Sequence, residues 1–355
     1  MPVIAVAREI KRLHPGNDLE IHYIGPKDEL SLLLLAQENI KAHTIVAGKI
    51  RRYFSFENFI DVLFKIPFGF LQSFFLALFM MPKLVFSKGG SGSLVVCLCA
   101  YILGRPIFVH ESDSAPGISN KIVSKWAKKV FTSFPRTEYF DLSKTLLVGN
   151  PIRKEITEGS IQATKEIFNL TLEKPVVLFL GGSQGAQALN DFVLSILNDL
   201  LQDYEVIHLC GSKNYRSVKI ESQVVLDKEL EKYYHLWEFL DEVQLKHALS
   251  AASIVISRAG AGSIFEIAAC GKPSILIPLP SSASDHQSKN AYQYASTGAA
   301  VVIEQENMTH NFFIGKINYL LSNSEKMDEM KKAALQFAKP LAAKAIAREI
   351  LEYLA

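Results

Sequence analysis

Cysteine is scarce: four in 355 residues, Cys97, Cys99, Cys210 and Cys270. They sit inside apolar runs with no metal-ligand spacing, which excludes a disulfide scaffold and reads as buried, reduced thiols of a cytoplasmic protein. No Asp-x-Asp occurs, so no ready metal chelate for a diphosphate is present, and neither metal nor cofactor is expected. The dinucleotide fingerprint and the Walker lysine are also missing, which argues against hydride and phosphoryl donors. There is no internal repeat, no low-complexity tract and no leader-like opening. Charge of one sign is not in excess, for the net is only +2. It is unevenly spread: residues 1–150 hold 18 Lys and Arg against 12 Asp and Glu, leaving 20 against 24 for the rest. That mild basic bias suits an anionic membrane surface or a pyrophosphate and is too weak for nucleic acid.

What is present is enough for two α/β domains. The stretch from Ile254 to Ala291 organises the chain. A β-branched run breaks at Arg258-Ala259-Gly260-Ala261-Gly262-Ser263; Ser263 reads as the cap of a helix to Cys270, and Ser274–Pro278 as a second strand. Such a turn aims backbone N–H groups and a positive helix end at a phosphate position. Glu266 suits a ribose diol, Arg258 adds a cation, and Gln287 and Asn290 offer amides to sugar hydroxyls.

Two further glycine-rich turns follow apolar strands: Lys88-Gly89-Gly90-Ser91-Gly92-Ser93, and Gly181-Gly182-Ser183-Gln184-Gly185-Ala186 with a helix expected through Leu200. The strand Pro106–His110 ends in His110-Glu111-Ser112-Asp113, polar groups at a carboxyl end where open sheets bind ligands. His110 reads as a packed strand-end histidine. Phe59–Met81 is the most apolar segment, with a basic cluster of Lys49, Arg51 and Arg52 before it. Its length admits a transmembrane helix, a core helix or an interfacial helix; the phenylalanines beside basic residues favour the last. The polar run 154–164 reads as a linker between a first domain, 1–153 completed by a helix at 341–355, and a second, 165–340.

The blocks HES followed by PGISNK, GNPIR, GGSQGA, SRAGAGSIFEIAACGKPSILIP and DHQSKNA, in that order, resemble the bacterial MurG-type glycosyltransferases. These are UDP-N-acetylglucosamine–N-acetylmuramyl-(pentapeptide) pyrophosphoryl-undecaprenol N-acetylglucosamine transferases. The resemblance implies a GT-B fold: two Rossmann-like domains with a cleft between them, acceptor domain first, donor domain second. It implies that Ser183, Gln184 and Gly185 face the diphosphate of UDP-N-acetylglucosamine, that Glu266 holds the ribose, and that the backbone at Phe239-Leu240 reads uracil. Gln287 and Asn290 would grip the sugar, with Arg153 and Arg258 as phosphate neighbours. Gly89, Gly90, Glu111 and Asn120 would face lipid I at the cytoplasmic face of the cell membrane. The implied chemistry is an inverting displacement by the muramyl 4-hydroxyl.

Two departures stand out. Family members open with a strand and a Gly-rich loop ending in a histidine, the usual candidate base, just before the stretch that begins here at Met1. The start at Met1 is therefore expected to be internal to a longer reading frame, and Glu111 is the substitute base. Ser91 and Val95 replace an aromatic residue and a proline. The alternatives are a UDP-sugar-binding protein impaired in catalysis and a UDP-sugar 2-epimerase; the apolar acceptor-side helix argues against the latter.

Overall fold

Short β-branched runs joined by helical stretches can pair only in parallel, because each crossover returns the chain to the same edge. The computed structural model describes residues 2–16, 18–48, 61–90, 92–135, 139–181, 186–280, 282 and 285–355. It divides into one unit of residues 1–153 with 340–355 and another of 154–339.

In the first unit β1 (His22–Gly25) pairs with β2 (Lys41–Thr44), and β3 (Val85–Ser87), β4 (Ile107–Glu111), β5 (Lys129–Thr132) and β6 (Thr145–Leu147) form a second parallel sheet in chain order. The helix Pro2–Leu13 serves both. Its Ala5, Val6 and Ile10 share a core with Phe108, Phe131 and the terminal helix Ala342–Leu354, while Ile4 and Ala7 pack on Leu35 and Ile40.

The apolar segment is a helix, Ile66–Met80, entered through a wider turn at Asp61–Lys65. Only Gly69, Ser73 and Ala77 are buried, one small residue per turn on a single stripe. Phe64, Phe68, Leu71, Phe75 and Phe79 are exposed, Phe79 at 82%. It is therefore not the core helix that its composition admits. Its window Leu63–Met80 is long and apolar enough to cross a membrane, and 17% of that window is buried. Residues 59–60 and the basic cluster at 49, 51 and 52 lie outside the described residues. A Cβ at Gly69 would stand 2.1 Å from the Val46 carbonyl oxygen. Gly69→Ala is expected to push this helix off its seat and cost about 1–3 kcal/mol, read as a lower denaturant midpoint at unchanged slope.

In the second unit β7 (Val176–Leu180), β8 (Glu205–Leu209), β9 (Tyr234–Trp237), β10 (Ala252–Ser257), β11 (Ser274–Leu276) and β12 (Ala300–Val302) lie in the order β12-β11-β10-β7-β8-β9, all parallel. This is the doubly wound arrangement with its switch between β7 and β10. The helix expected through Leu200 breaks at Ile196 into Gln187–Ser195 and Leu197–Asp203. The break lets the neighbours Ile196 and Leu197, each 1% exposed, both enter the core; an unbroken helix would turn them about 100° apart. Residues 154–164 are not a free linker. Ile156 and Thr164 are buried, Thr164 Oγ1 donates to the His247 carbonyl at 2.6 Å, and the helix Ile161–Phe168 begins inside the run.

Glu205 staples the sheet's amino edge. Fully buried, it accepts from the Thr171 and Leu172 amides at 2.7 and 2.8 Å, and pairs with His235 Nε2 at 2.9 Å. Burial raises its proton affinity, but His235 and the two amides outweigh that and hold it below its ordinary 4.5. A carboxyl depressed in the folded state stabilises fully above its unfolded value and loses that contribution as pH falls through the folded one. Glu205→Ala should therefore cost about 3 kcal/mol near neutrality, with the gap to wild type closing as the pH of chemical denaturation is lowered below 4.5.

Candidate active site

Register brings the donor-side turns together. Leu180 at the end of β7 is paired with Ser257 at the end of β10, so the chain leaves the sheet at Gly181 and at Arg258 side by side at the switch point. The helix after β10 starts at Ala261 with Gly260 as its N-cap and no side-chain cap. Ser263 is thus inside the helix rather than its cap, and the first amides keep no protein acceptor from a cap. The helix Gln187–Ser195 after β7 likewise has no side-chain cap. Ser183, Gln184 and Gly185 lie outside the described residues.

The other donor-side residues stitch this edge. Arg258 is 8% exposed, and its guanidinium donates to the Ile277 and Pro278 carbonyls at 3.2 and 3.3 Å and to Gln305 Oε1 at 2.7 Å. The fixed cation read from sequence is thus committed largely to backbone oxygens. Gln287 Oε1 accepts from the Leu279 amide at 3.0 Å. Asn290, fully buried, donates to Ala259 O at 3.2 Å and so fixes the Gly-rich turn. Glu266 is half-buried on the second turn of the Ala261–Ala269 helix. Leu240 is buried at the carboxyl end of β9, two strands from β7 and hence about 10 Å along the edge.

The first unit's carboxyl edge gathers the acceptor-side residues. Glu111, 4% exposed, ends β4. It accepts from Asn120 Nδ2 at 2.8 Å, the Asp113 amide at 3.0 Å and the Gly117 amide at 3.3 Å. Burial still dominates and raises its proton affinity above the ordinary carboxyl range, with the Asp113 charge adding to the rise. Gly89 and Gly90 have φ of +85° and +98°, a region that favours glycine. A Cβ on Gly89 would meet Asn120 Oδ1 at 2.8 Å, so the turn is seated on the amide that grips Glu111. His110 is fully buried, its Nε2 lies 3.0 Å from Gly149 O, and burial pushes its pKa down to about 3. It is the packed histidine expected. Arg153 is half-buried at the end of the unit's first stretch. Lys88, between β3 and the Gly turn, was not singled out by its pattern, since a lone lysine in a turn carries no signal.

Chemically, one edge offers uncapped amides and amide side chains at a switch point, the other a buried carboxylate with raised basicity. Residues 1–132 match the glycosyltransferase family 28 N-terminal domain and residues 176–346 its C-terminal domain. A Clostridium tetani protein named UDP-N-acetylglucosamine–N-acetylmuramyl-(pentapeptide) pyrophosphoryl-undecaprenol N-acetylglucosamine transferase is 37% identical over 340 residues, covering 94% of this chain and 90% of that one.

The chain belongs to this MurG-type transferase family.

A Bacillus thuringiensis relative of the same name, numbered 1, is 37% identical over 313 residues, 88% of this chain and 84% of that one. The crystal structure of Acinetobacter baumannii MurG superposes with a TM-score of 0.73 at 25% identity, covering 99% of this chain and 95% of that one. A Neisseria meningitidis UDP-GlcNAc 2-epimerase bound to UDP-GlcNAc gives 0.70 at 13% identity, with 99% and 96% covered; that likeness shows a shared fold. The MurG-type chain is accordingly a GT-B hexosyltransferase of peptidoglycan synthesis.

Proposed function

We propose that this MurG-type enzyme moves N-acetylglucosamine from UDP-N-acetylglucosamine to the 4-hydroxyl of the muramyl sugar of lipid I, giving lipid II with inversion. The single observation that carries the reading is the switch point of the second unit, where β7 and β10 end as paired neighbours beneath two uncapped helix starts. An anion held there is met by main-chain amides, with Ser183, Gln184 and Gly185 as its further ligands. The diphosphate at this point puts uracil about 10 Å away along the edge, near the Leu240 backbone. Glu266 then takes the ribose, and Gln287 and Asn290 the sugar. Arg258 acts by holding the 277–278 backbone and Gln305.

The first unit presents the acceptor. Gly89, Gly90 and Asn120 line its binding edge, and Glu111 takes the hydroxyl proton as the oxygen attacks the anomeric carbon and UDP departs. The amides at the donor edge meet the charge growing on the leaving diphosphate. The exposed phenylalanine face of Ile66–Met80 lies in the cytoplasmic leaflet as an interfacial helix, which is where a lipid-linked acceptor is found. The reading is tested by incubating the protein with UDP-N-acetylglucosamine and a lipid I analogue. Transfer of the sugar with UDP release is expected; donor binding without turnover would favour the impaired, binding-only reading. Glu266→Ala should weaken UDP binding by about tenfold to a hundredfold, measured by calorimetry.

A further inference from the structure

We propose that Lys88 is a positioning residue for the transfer: its ammonium is the counter-charge that lets Glu111 stay ionised beside Asp113 in a nearly buried strand end. The inference rests on Glu111 acting as the base. Ser87 of β3 is paired with Val109 of β4, so Lys88 leaves its strand level with His110, one residue short of Glu111. The next residue, Gly89, is seated against the Asn120 amide, and that amide holds Glu111 Oε2 at 2.8 Å. Lys88 is thereby tied to the carboxylate through two packed neighbours.

Among the described residues the charges around Glu111 are few. On its own strand His110 is neutral, and on the following loop Asp113 carries a like charge. The helix Ile118–Val123 and its cap present the uncharged Asn120 and the Gly117 amide. β5 and its end present Thr132 and Ser133, both uncharged, with Ser133 Oγ on the Glu111 carbonyl at 3.1 Å. From β3 comes Lys88, whose ammonium lies within electrostatic reach of both Asp113 and Glu111. Two carboxylates and one cation in a desolvated corner leave the cation better matched to the carboxylates than to a substrate phosphate. Burial pulls Lys88 down to about 8, and the two carboxylates partly oppose that fall, so it remains mostly charged at neutral pH. Remove it, and burial and Asp113 act on Glu111 against the three hydrogen bonds from Asn120, Asp113 and Gly117 alone.

The test is kcat/KM for a lipid I analogue from about pH 5.5 to about pH 9, with the donor saturating, in the full chain. In Lys88→Met the acid limb should move up by about one pH unit, a loss of about tenfold below the limb that shrinks toward wild type above it. Lys88→Arg should keep the wild-type limb, and adding Asp113→Asn to Lys88→Met should bring the limb back down. Asp113→Asn alone should lower it, which keeps the idea testable if Lys88→Met fails to fold. A Lys88→Met loss of equal size at every pH, or an acid limb unmoved in Asp113→Asn, overturns the role of Lys88. Wild-type turnover that survives unchanged in Glu111→Gln instead overturns the reading of Glu111 as base, and the two failures are told apart.

Discussion

Glu111→Gln is expected to lower kcat by about 10²–10⁴ while UDP-N-acetylglucosamine still binds. The carboxylate ends β4 under three donors, from Asn120, Asp113 and Gly117. Those bonds orient it, and burial raises its basicity. A glutamine keeps the shape but cannot take a proton. It also turns an NH2 group toward one of the donors, so a stability loss of about 1–3 kcal/mol should accompany the change. The sign of the pH effect follows from the direction of the shift. Glu111 must be ionised to act, and its folded pKa lies above the ordinary 4.5. Activity should therefore fall as pH drops through a limb lying above 4.5, and that limb should vanish in Glu111→Gln. Single-turnover kinetics with saturating donor read both the loss and the limb.

The second large effect belongs to the apolar helix Ile66–Met80. Replacing Phe68, Phe75 and Phe79 together with serine should abolish sedimentation with anionic phospholipid vesicles. Each exposed ring that enters a leaflet contributes about 1.5–3 kcal/mol, so three rings amount to several orders of magnitude in partitioning. Their exposures of 54, 52 and 82% make the same change nearly neutral for folding, since the helix is seated by Gly69, Ser73 and Ala77. Activity on a short-chain, soluble acceptor should be spared. Unchanged vesicle binding in the triple variant would remove the interfacial reading of this helix.

Much of this architecture was legible in the sequence, because glycine turns after β-branched runs leave few choices. PVVLFL followed by GGSQGA, and IVIS followed by RAGAG, announce two crossovers of a parallel sheet. The sequence order also gives the switch point once the strands are taken as doubly wound. What stayed hidden depends on side-chain partners. Ser263 looks like a helix cap, but the helix begins at Ala261, because Gly260 already leaves the strand in extended conformation. Arg258 reads as a phosphate cation, and only the fold reveals the two carbonyls and Gln305 that take its donors. The run 154–164 is polar in composition yet folded against His247. Composition also could not separate a buried helix at 66–80 from an exposed one. The spacing of Gly69, Ser73 and Ala77 was the available sign, since small residues four apart mark a seat and leave the large ones outside.

The central claim is that UDP sits at the carboxyl edge of the second unit, over the β7–β10 boundary. Amide hydrogen exchange of the full chain with and without UDP measures this directly. The expected result is slowed exchange at residues 258–266 and 186–190, at the starts of the two uncapped helices, and around Leu240. Protection confined to the opposite edge of that sheet, around Glu205 and Thr171, or to the first unit alone, would contradict it.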